Sequence, residues 1–500
     1  MSIARTSMPI CIVITSLLHV NAVFAESRDS IRAGETQFEN VLHRLDMSLP
    51  PQEQNTWPAY QGFEPIIGPY QTEGIINAYD QRADYGLRPS DSLTFTSPSG
   101  IYQYSPSFSA TSNISSPSYI KADFTPKNVQ LSQNSRQVAR VLQGIWQDYD
   151  SLQTERRKRD GGPSIEQLFS ALSTVNPNQL NNFLTSIGPQ STQASVAAAT
   201  QLAIGNASRS LSCPAFTSDL RFRKQACLWG QLDGAGSTQE FEGSDERVRG
   251  TTFGPQFGGH YSFGDNWFWG NTLALTNTFY EQAIVPSKLK TTALSGALSL
   301  EKALGPWTVA GVVGGGYVWG KSRRRISQNI IQALGEATAN IGFAFSRARV
   351  SLGVPFKKDY YIRPILDFDV FWLHQAGYSE VGAGDLNLNL ESDSKFIWGF
   401  NPAIEFGSRL NLRSETVSRI YLDLGALFLS ANEWGSTVTF RNFPNSSFRT
   451  WYPITNRAAL VRVGLDVQQI VGFETRLQFS SLIAEDYEVH GGSLRMGFRF

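Results

Sequence analysis

Apolar and polar residues alternate along the C-terminal part of the chain, from Cys227 to Phe500. In "YIRPILDFDVFW", Leu366 and Phe368 lie on one face of an extended segment, whereas Asp367 and Asp369 lie on the other. Successive side chains of a β-strand point to opposite faces, so this period of two predicts strands with one apolar and one polar face. "RIYLDLGALF", "RAALVRVGLDVQ" and "GFETRLQF" repeat the pattern. We expect about twelve such strands.

The joins between these strands separate a membrane barrel from a soluble sandwich, which would alternate as well. Short joins fall near Gly264-Asp265, Gly305-Pro306, Lys357-Asp359, Ser414-Glu415 and Gly472. Long joins span Gln239 to Arg249, Glu281 to Lys288, Lys321 to Gln332, Gly377 to Asp393 and Ala431 to Tyr452. Outer-membrane barrels sort their joins in this way, with short periplasmic turns and longer outer loops. The predicted fold class is an all-β C-terminal transmembrane barrel of about twelve antiparallel strands, preceded by an α-helical segment and an irregular N-terminal region.

The polar faces of these strands predict a charged lumen. The inward positions that we expect to carry charge include Arg363, Asp367, Asp423, Arg462 and Asp466. The final stretch, "SLRMGFRF", alternates in the same way, with Arg495 and Arg499 turned inward and Leu494, Met496, Phe498 and Phe500 turned towards lipid. Aromatic rings at this position suit the girdle at the periplasmic rim of a barrel.

A helical period precedes the strands. From about Leu131, apolar residues recur at three- and four-residue spacing, and polar Asn134 and Ser135 stand where a helix would be capped. A second helix is predicted from Ile165 and a third from Pro177, after Asn176. Residues 26–128 show no comparable period and are interrupted by Pro.

The segment "STQASVAAATQLAIGNAS", from Ser191 to Ser208, carries no charge and consists largely of small residues. Eight strands leave room in a barrel only for side chains, whereas sixteen leave an aqueous channel. A barrel of about twelve strands could therefore hold one thin helix. An ordinary helix packed in a small N-terminal domain is the alternative interpretation.

The first residues have the pattern of a secretory signal peptide. Arg5 supplies a positive charge, an apolar run extends from Ile10 to Val20, and "AVFA" suits cleavage between Ala25 and Glu26. A membrane anchor is the alternative, but the run is too short for roughly 30 Å of hydrocarbon. Of the 3 Cys, Cys213 and Cys227 lie beyond this signal. An even pair in an oxidising compartment favours a disulfide between them over two free thiols.

The chain offers little chemistry beyond this architecture. Its 43 basic and 43 acidic residues balance, which gives no support to nucleic acid as a partner. "GGYVWGKS", from Gly315 to Ser322, matches the phosphate-loop pattern, but it continues a strand and no amphipathic helix follows. The His residues have no metal-ligand spacing. Arg323 to Arg325 suit either contact with lipopolysaccharide phosphates or a solvated loop. We predict no enzyme activity and no cofactor.

Several stretches resemble the translocator of autotransporters, the type V secretion family. They are "NSRQVARVLQ" (Asn134 to Gln143), "CLWGQLDG" (Cys227 to Gly234), "FGPQFGGHYSFGDNWFWG" (Phe253 to Gly270), "GYSEVGAGDLNLNL" (Gly377 to Leu390) and the final Phe500. The chain departs from the family upstream, because its region before the helices is short and has no visible repeats.

The resemblance implies a monomeric barrel in the bacterial outer membrane, with the helix of residues 191–208 threaded through its pore. It implies contact with outer-membrane lipid and lipopolysaccharide, and with periplasmic chaperones and the barrel-assembly machinery, which would recognise Leu494, Phe498 and Phe500. Some relatives self-cleave between paired asparagines, here Asn181 and Asn182. The pair lies farther from the first strand than in those relatives, which favours an uncleaved chain.

The domain organisation that we predict has four parts. Residues 1–25 form the signal peptide, residues 26–130 a short, irregular passenger-like region, residues 131–212 a helical linker that includes the pore helix, and residues 213–500 the barrel. The predicted function is a translocator that exports or displays its own N-terminal segment. The alternative is a non-translocating pore or structural barrel with a periplasmic N-terminal region.

Overall fold

The computed structural model describes residues 95–96, 102–104, 119–126, 129–147, 162–211, 226–241, 247–282, 287–328, 331–357, 359–413, 416–469 and 472–500. The predicted signal peptide and its cleavage site at Ala25 and Glu26 lie outside these residues. Before the first helix, a small antiparallel sheet consists of β1 (Phe95–Thr96), β2 (Tyr102–Tyr104) and β3 (Tyr119–Ala122).

The residues that the structure describes next form four helices, which are α1 (Gln133–Gln147), α2 (Ile165–Thr174), α3 (Pro177–Ile187) and α4 (Gln190–Arg209). Ser164 caps α2 in a reciprocal arrangement with Gln167, and the side chain of Asn176 caps α3. Such caps stabilise a helix by about 1 kcal/mol because they satisfy backbone N–H groups that lack a partner within the helix.

The prediction that Asn134 and Ser135 cap the first helix is wrong. Both lie within the first turn of α1, and the backbone N–H of Ser135 donates instead to Ser132 Oγ at 3.2 Å. The side chain of Asn134 bonds to the backbone of Trp451, which is remote in sequence. The hydrogen bonds of the Asn134 side chain therefore go to another element instead of the start of the helix.

The remaining strands are β4 (Cys227–Glu240), β5 (Arg247–Phe263), β6 (Trp267–Gln282), β7 (Lys288–Leu304), β8 (Trp307–Gln328), β9 (Ile331–Leu352), β10 (Val354–Phe356), β11 (Tyr360–Gln375), β12 (Tyr378–Ser379), β13 (Leu388–Leu390), β14 (Asp393–Arg413), β15 (Thr416–Leu429), β16 (Glu433–Phe440), β17 (Phe443–Pro453), β18 (Arg457–Gln469), β19 (Phe473–Ile483) and β20 (Tyr487–Arg499). Twelve of them, β4 to β9, β11, β14, β15 and β18 to β20, form one closed antiparallel barrel. The ring closes where β20 pairs with β4, from Tyr487 opposite Gln239 to Arg499 opposite Cys227. The predicted fold class is confirmed.

The two ends of the barrel differ in their joins. At one end, tight turns join consecutive strands, and Gly264, Asn266 and Gly305 adopt positive φ angles of 54°, 61° and 60° in two of them. The other end carries the long excursions. We call the ends the short-turn end and the long-loop end.

One predicted long join differs in the structure, and one join at the long-loop end that was not predicted is short. Residues 321–328 and 331–332 extend β8 and β9 instead of forming a loop, and the join between β19 and β20 at the long-loop end has only residues 484–486. The excursions at residues 377–393 and 431–452 contain β12, β13, β16 and β17, which form a separate four-stranded sheet. Alternation of join length thus identified the barrel correctly, although strand ends were placed less well.

The barrel wall is apolar outside and polar inside. Leu494, Met496, Phe498 and Phe500 are 40%, 52%, 52% and 63% exposed on the outer face, whereas Arg495 and Arg499 are buried within the barrel. An exposed apolar band of this kind suits contact with lipid. Among the helices that the structure describes, none has both the length and the hydropathy to span a bilayer.

Helices α1 to α3 and the four-stranded sheet pack together at the long-loop end, and we call this assembly the cap. Its buried core includes Leu142, Leu168, Leu184, Leu388 and Val438. Ile326 and Ile331, at the tip of the β8–β9 hairpin, belong to the same apolar cluster. The long loops of the barrel and the helices upstream of α4 are therefore parts of one packed structure.

Candidate functional site

Helix α4 lies inside the barrel and runs along it from end to end. Near its start, Gln193 Nε2 donates to Thr450 Oγ1 of β17 at 3.0 Å, at the long-loop end. At its other end, the carbonyl oxygen of Ser210 accepts from His260 Nε2 at 2.7 Å and from Ser299 Oγ at 3.0 Å, close to the short turns. The helix therefore begins at the long-loop end and ends at the short-turn end.

One half of the lumen wall fits the helix through small and apolar side chains. Helix α4 contacts β6 to β9 and β11, and Ala293, Ala297 and Ala310 of this wall belong to one buried apolar cluster with Ala199 and Ala203 of the helix. The wall and the helix can approach closely because neither carries bulk at the contact. A Cβ atom on the inward-facing Gly314 would lie only 2.5 Å from the Phe345 ring, so that part of the wall has no room for a larger residue.

Two hydrogen-bonded groups fix the helix against this wall. Asn206 Nδ2 donates to Ser295 Oγ of β7 at 2.6 Å, in a fully buried contact. Arg347 Nη1 donates to Ser208 Oγ at 2.5 Å, and the same guanidinium binds Asp369 at 2.6 and 2.8 Å. The register of the helix along the wall is therefore set by polar contacts as well as by packing.

The other half of the wall is lined by charges that pair with each other. Asp466 on β18 accepts from Arg419 on β15 at 3.1 Å and from Arg476 on β19 at 2.6 Å. Arg419 also donates to Glu405 on β14 at 2.9 Å, and Arg363 on β11 pairs with the same carboxylate. These partners lie on neighbouring strands, so the charges are neutralised within the wall itself.

The sequence placed Arg363, Asp367, Asp423, Arg462 and Asp466 inward, and these five lie in the lumen. Asp367 accepts from Arg349 at 2.6 and 2.7 Å, and Asp423 lies 3.4 Å from Arg462. Between this charged wall and the helix, a cavity of about 170 Å³ remains, lined partly by Arg209 and Asp233. It is polar and large enough for several water molecules.

The cap is attached to the barrel through a buried arginine. Arg324 on β8 donates to the carbonyl oxygens of Ser186 and Ile187, at the end of α3, at 3.0 Å each. It also pairs with Glu380, and both side chains are only 1% exposed. A cation suits the C-terminal end of a helix, where carbonyl groups lack partners.

A second contact lies within the cap and joins α1 to strand β17 of its sheet. Asn134 Nδ2 donates to the Trp451 carbonyl at 2.7 Å, and the Trp451 N–H donates to Asn134 Oδ1 at 2.9 Å. Beside this contact, burial raises the pKa of Tyr452, and the nearby Tyr487 and Asp486 raise it further. The phenol group therefore stays neutral throughout the physiological range.

The remaining predicted site residues lie apart from one another. Asn181 and Asn182 lie in α3 of the cap and not in the pore helix. Cys227 begins β4, whereas Cys213 lies outside the described residues, so their disulfide stays a prediction. Leu494, Phe498 and Phe500 share the outer face near the short-turn end, and their role as a recognition signal also stays a prediction.

Sequence reasoning missed Arg324, Asp369, His260 and Ser299 as residues that hold the helix or the cap. Strand parity could have found one of them, because Arg324 lies between two outward-facing arginines and must face inward. Residues 315–322, which match the phosphate-loop pattern, all lie in β8. Over the ranges that the structure describes, no cluster of three His, Cys, Asp or Glu side chains could hold a metal ion.

The sequence matches the family model of the autotransporter beta-domain over residues 228–480. It is similar to the translocator domain of autotransporter NalP from Neisseria meningitidis, with 16% identity and a TM-score of 0.49 over 63% of this chain and 100% of that chain. The transport unit of AIDA-I from Escherichia coli has 12% identity and a TM-score of 0.42, over 62% of this chain and 99% of that chain. The beta domain of the Bordetella autotransporter BrkA has 13% identity and a TM-score of 0.40, over 55% and 99%. The comparison with curated proteins finds no match.

Proposed function

This chain belongs to the autotransporter family, and we propose that its barrel displays residues 26–130 at the cell surface while α4 stays in the lumen as a plug. The barrel is a translocator domain of the bacterial outer membrane, and such domains export the passenger that precedes them in the chain. The proposal concerns what is exported here and how the chain is held afterwards. It includes the four domains predicted above.

The direction of α4 is the observation that carries the proposal. Outer-membrane barrels turn their short joins to the periplasm and their long loops outwards. Gln193 contacts β17 at the long-loop end and Ser210 is held at the short-turn end, so the chain upstream of α4 emerges outside. The packing of α1 to α3 with the long loops agrees with this orientation. A periplasmic N-terminal region would need the opposite direction.

We also propose that the chain remains uncleaved between Asn181 and Asn182. Asn181 Oδ1 accepts from the Ser132 N–H at 2.8 Å, and the Asn181 carbonyl accepts from Ser135 Oγ at 3.2 Å. Both oxygens are thus used to hold α1 against α3. Asn182→Ala should leave the full-length band unchanged on a denaturing gel, and a separate barrel fragment that begins near residue 182 would contradict this part of the proposal.

Several partners and properties complete the proposal. The barrel acts as a monomer, with no reaction catalysed and no cofactor, in contact with outer-membrane lipid that includes lipopolysaccharide. Periplasmic chaperones deliver it, and the barrel-assembly machinery recognises Leu494, Phe498 and Phe500, which form an exposed apolar row on β20 and at its end. Phe500→Asp should lower the yield of heat-modifiable barrel, whereas Phe473→Asp, on the neighbouring strand, serves as the matched control. An equal loss in both variants would argue for lipid contact instead of recognition.

A protease test on intact cells decides where the N-terminal region lies. An epitope inserted after residue 30 should be removed by added protease, whereas the same epitope inserted between Lys357 and Asp359, in a short turn, should be protected until the cells are opened. Protection of the first epitope in a correctly assembled barrel would contradict the proposal. That result would favour the alternative of a non-translocating pore with a periplasmic N-terminal region.

A further inference from the structure

Five basic residues lie side by side on the outer wall of the barrel, near the long-loop end. They are Lys288 and Lys290 on β7 and Lys321, Arg323 and Arg325 on β8, and we call them the basic patch. All five are exposed, because they occupy the outward positions of their strands. The sequence placed the three arginines in a loop, but they lie in a strand, so that Arg324 faces inward and its neighbours face outward.

The outward side chains of β7 and β8 change in a regular order towards the patch. Leu298 lies opposite Val313 and Leu294 opposite Tyr317, and Trp319 then adds a second aromatic ring. The next pair towards the long-loop end is Lys290 opposite Lys321, followed by Lys288 opposite Arg323. This order of apolar, aromatic and cationic residues follows the order of hydrocarbon, interface and headgroup in a leaflet.

Cations in directly opposed positions repel each other, so the patch has a reason to bind anions. Lys288 Nζ lies 3.1 Å from Glu281 Oε1, and Arg323 Nε lies 2.9 Å from Glu336 Oε1. In the part of the chain that the structure describes, no carboxylate lies within ion-pair distance of Lys321 or Arg325. The five cations face two carboxylates, and the excess positive charge is concentrated at the level of the headgroups.

We propose that the basic patch binds the phosphate groups of a phosphorylated glycolipid, lipopolysaccharide, in the outer leaflet. This inference rests on the proposed function, because the orientation of the barrel is what places the patch at the outer leaflet. Arginine and lysine both bind phosphate, arginine through paired N–H groups and lysine through a compact charge. The column of Leu294, Leu298 and Val313 below the patch offers the acyl chains of the same lipid an apolar surface.

The test compares purified full-length variants in detergent by native mass spectrometry, with lipid A that carries two phosphates as the probe. Lys321→Gln together with Arg325→Gln removes two cations that have no ion-pair partner among the described side chains, so folding should be unaffected. We expect this variant to bind the probe about tenfold more weakly or worse, since each basic residue near an anionic surface contributes to the attraction. Dephosphorylated lipid A should bind the wild type as weakly as phosphorylated lipid A binds the variant.

Two matched controls separate this site from a general effect of charge. Lys302→Gln with Lys357→Gln removes two cations at the short-turn end, where Lys302 lies 4.7 Å from the centre of the Trp267 ring, and should leave binding unchanged. Lys321→Arg with Arg325→Lys keeps both charges and should retain binding. Equal affinity of the Gln variant and the wild type, or equal losses in the Gln variant and the short-turn control, would overturn the proposal.

Competition with inorganic phosphate distinguishes a headgroup site from a site for free phosphate. If inorganic phosphate displaced lipid A from the wild type at equal concentration, the lipid would have no advantage over free phosphate and the inference would be wrong. Surface exposure of the epitope after residue 30 is measured in the same variants. If the Lys321→Gln, Arg325→Gln variant displays the epitope normally and binds lipid A as tightly as the wild type, only the inference about the basic patch is wrong. If the epitope is protected from protease, the proposed function itself is wrong.

Discussion

Strands β6 to β8 face helix α4 mainly with small and apolar side chains, whereas β14, β15 and β18 to β20 face the lumen with paired charges. Strands β9 and β11 carry both kinds, because Arg349 of β9 pairs with Asp367 of β11 beside their apolar positions. Ala293 and Ala297 are buried in the same apolar cluster as Ala199 and Ala203 of the helix. Asp466 is satisfied by arginines of the neighbouring strands whether the helix is present or not. The apolar half of the wall therefore depends on the helix for its stability, and the charged half depends on the register of the barrel.

The difference suits a lumen that must first pass a chain and then close. Paired charges keep the passage wet and offer no continuous apolar surface to which an extended chain would adhere. The part of the wall that is lined by small side chains gives the helix one preferred position, in which Asn206 and Ser208 are fixed by hydrogen bonds. Each half can be perturbed without the other, so the comparison is open to direct tests.

Deleting Ser191 to Ser208 should have the largest effect. A helix is about 10 Å across, so its loss should raise the conductance of single barrels in a planar bilayer several-fold. It should also lower the thermal stability, because the apolar wall of β6 to β9 would then face water. A deletion of residues 30–90, which leaves α4 in place, is the control. Unchanged conductance would mean that α4 does not occupy the lumen.

Removing the carboxylate of Asp466 should destabilise the barrel by about 3–5 kcal/mol, because Arg419 and Arg476 would be left buried without their partner. The exposed pair of Glu240 and Arg247 provides a control, and Glu240→Ala should cost less than about 1 kcal/mol. Urea unfolding in detergent, followed by the gel mobility of the folded band, measures both.

Asp466→Ala combined with the deletion of Ser191 to Ser208 tests whether the two halves of the wall are independent of each other. The two changes lie on opposite halves of the wall, so their effects should add within about 0.5 kcal/mol. A cost of Asp466→Ala that disappears without the helix would show that the charged half also depends on α4.

Ala203→Leu should have the smallest of these effects. Ala203 is completely buried between the helix and the small-residue wall, and a larger side chain there should weaken the seat of the helix by about 1–3 kcal/mol. We expect frequent openings in bilayer recordings instead of a permanently open pore. Gln201→Leu adds apolar bulk at a half-buried position nearby and should leave the closed state intact.

Strand period and parity were enough to predict the barrel and its charged interior from the sequence. Asp367 and Asp423 were placed correctly because a one-residue shift would turn every side chain of the strand to the other face. The same rule, applied to the run of three arginines, would have separated Arg324 from Arg323 and Arg325. The run was read as a loop because its length and charge are typical of one.

Contacts between remote segments could not be predicted in this way. Nothing local to Asn134 indicates that its side chain bonds to Trp451, more than three hundred residues later. The contact of the helix with β6 to β9 likewise depends on alanines and glycines, and these form no recognisable pattern within any single strand. These features arise from the shapes of surfaces that meet only after folding.

The pairing of β20 with β4 also sets an order of events in time. β4 has no partner on its open side until β20 has been made, so the ring cannot close before synthesis has reached about residue 499. At about 5–20 residues per second, residue 130 leaves the ribosome roughly 20–70 s earlier. The passenger region that we propose therefore precedes, by this interval, the strand that completes its route. Under the proposed function, export of residues 26–130 can begin only after the ring has closed, so the last strand to be made sets the earliest time at which the first part of the chain can leave.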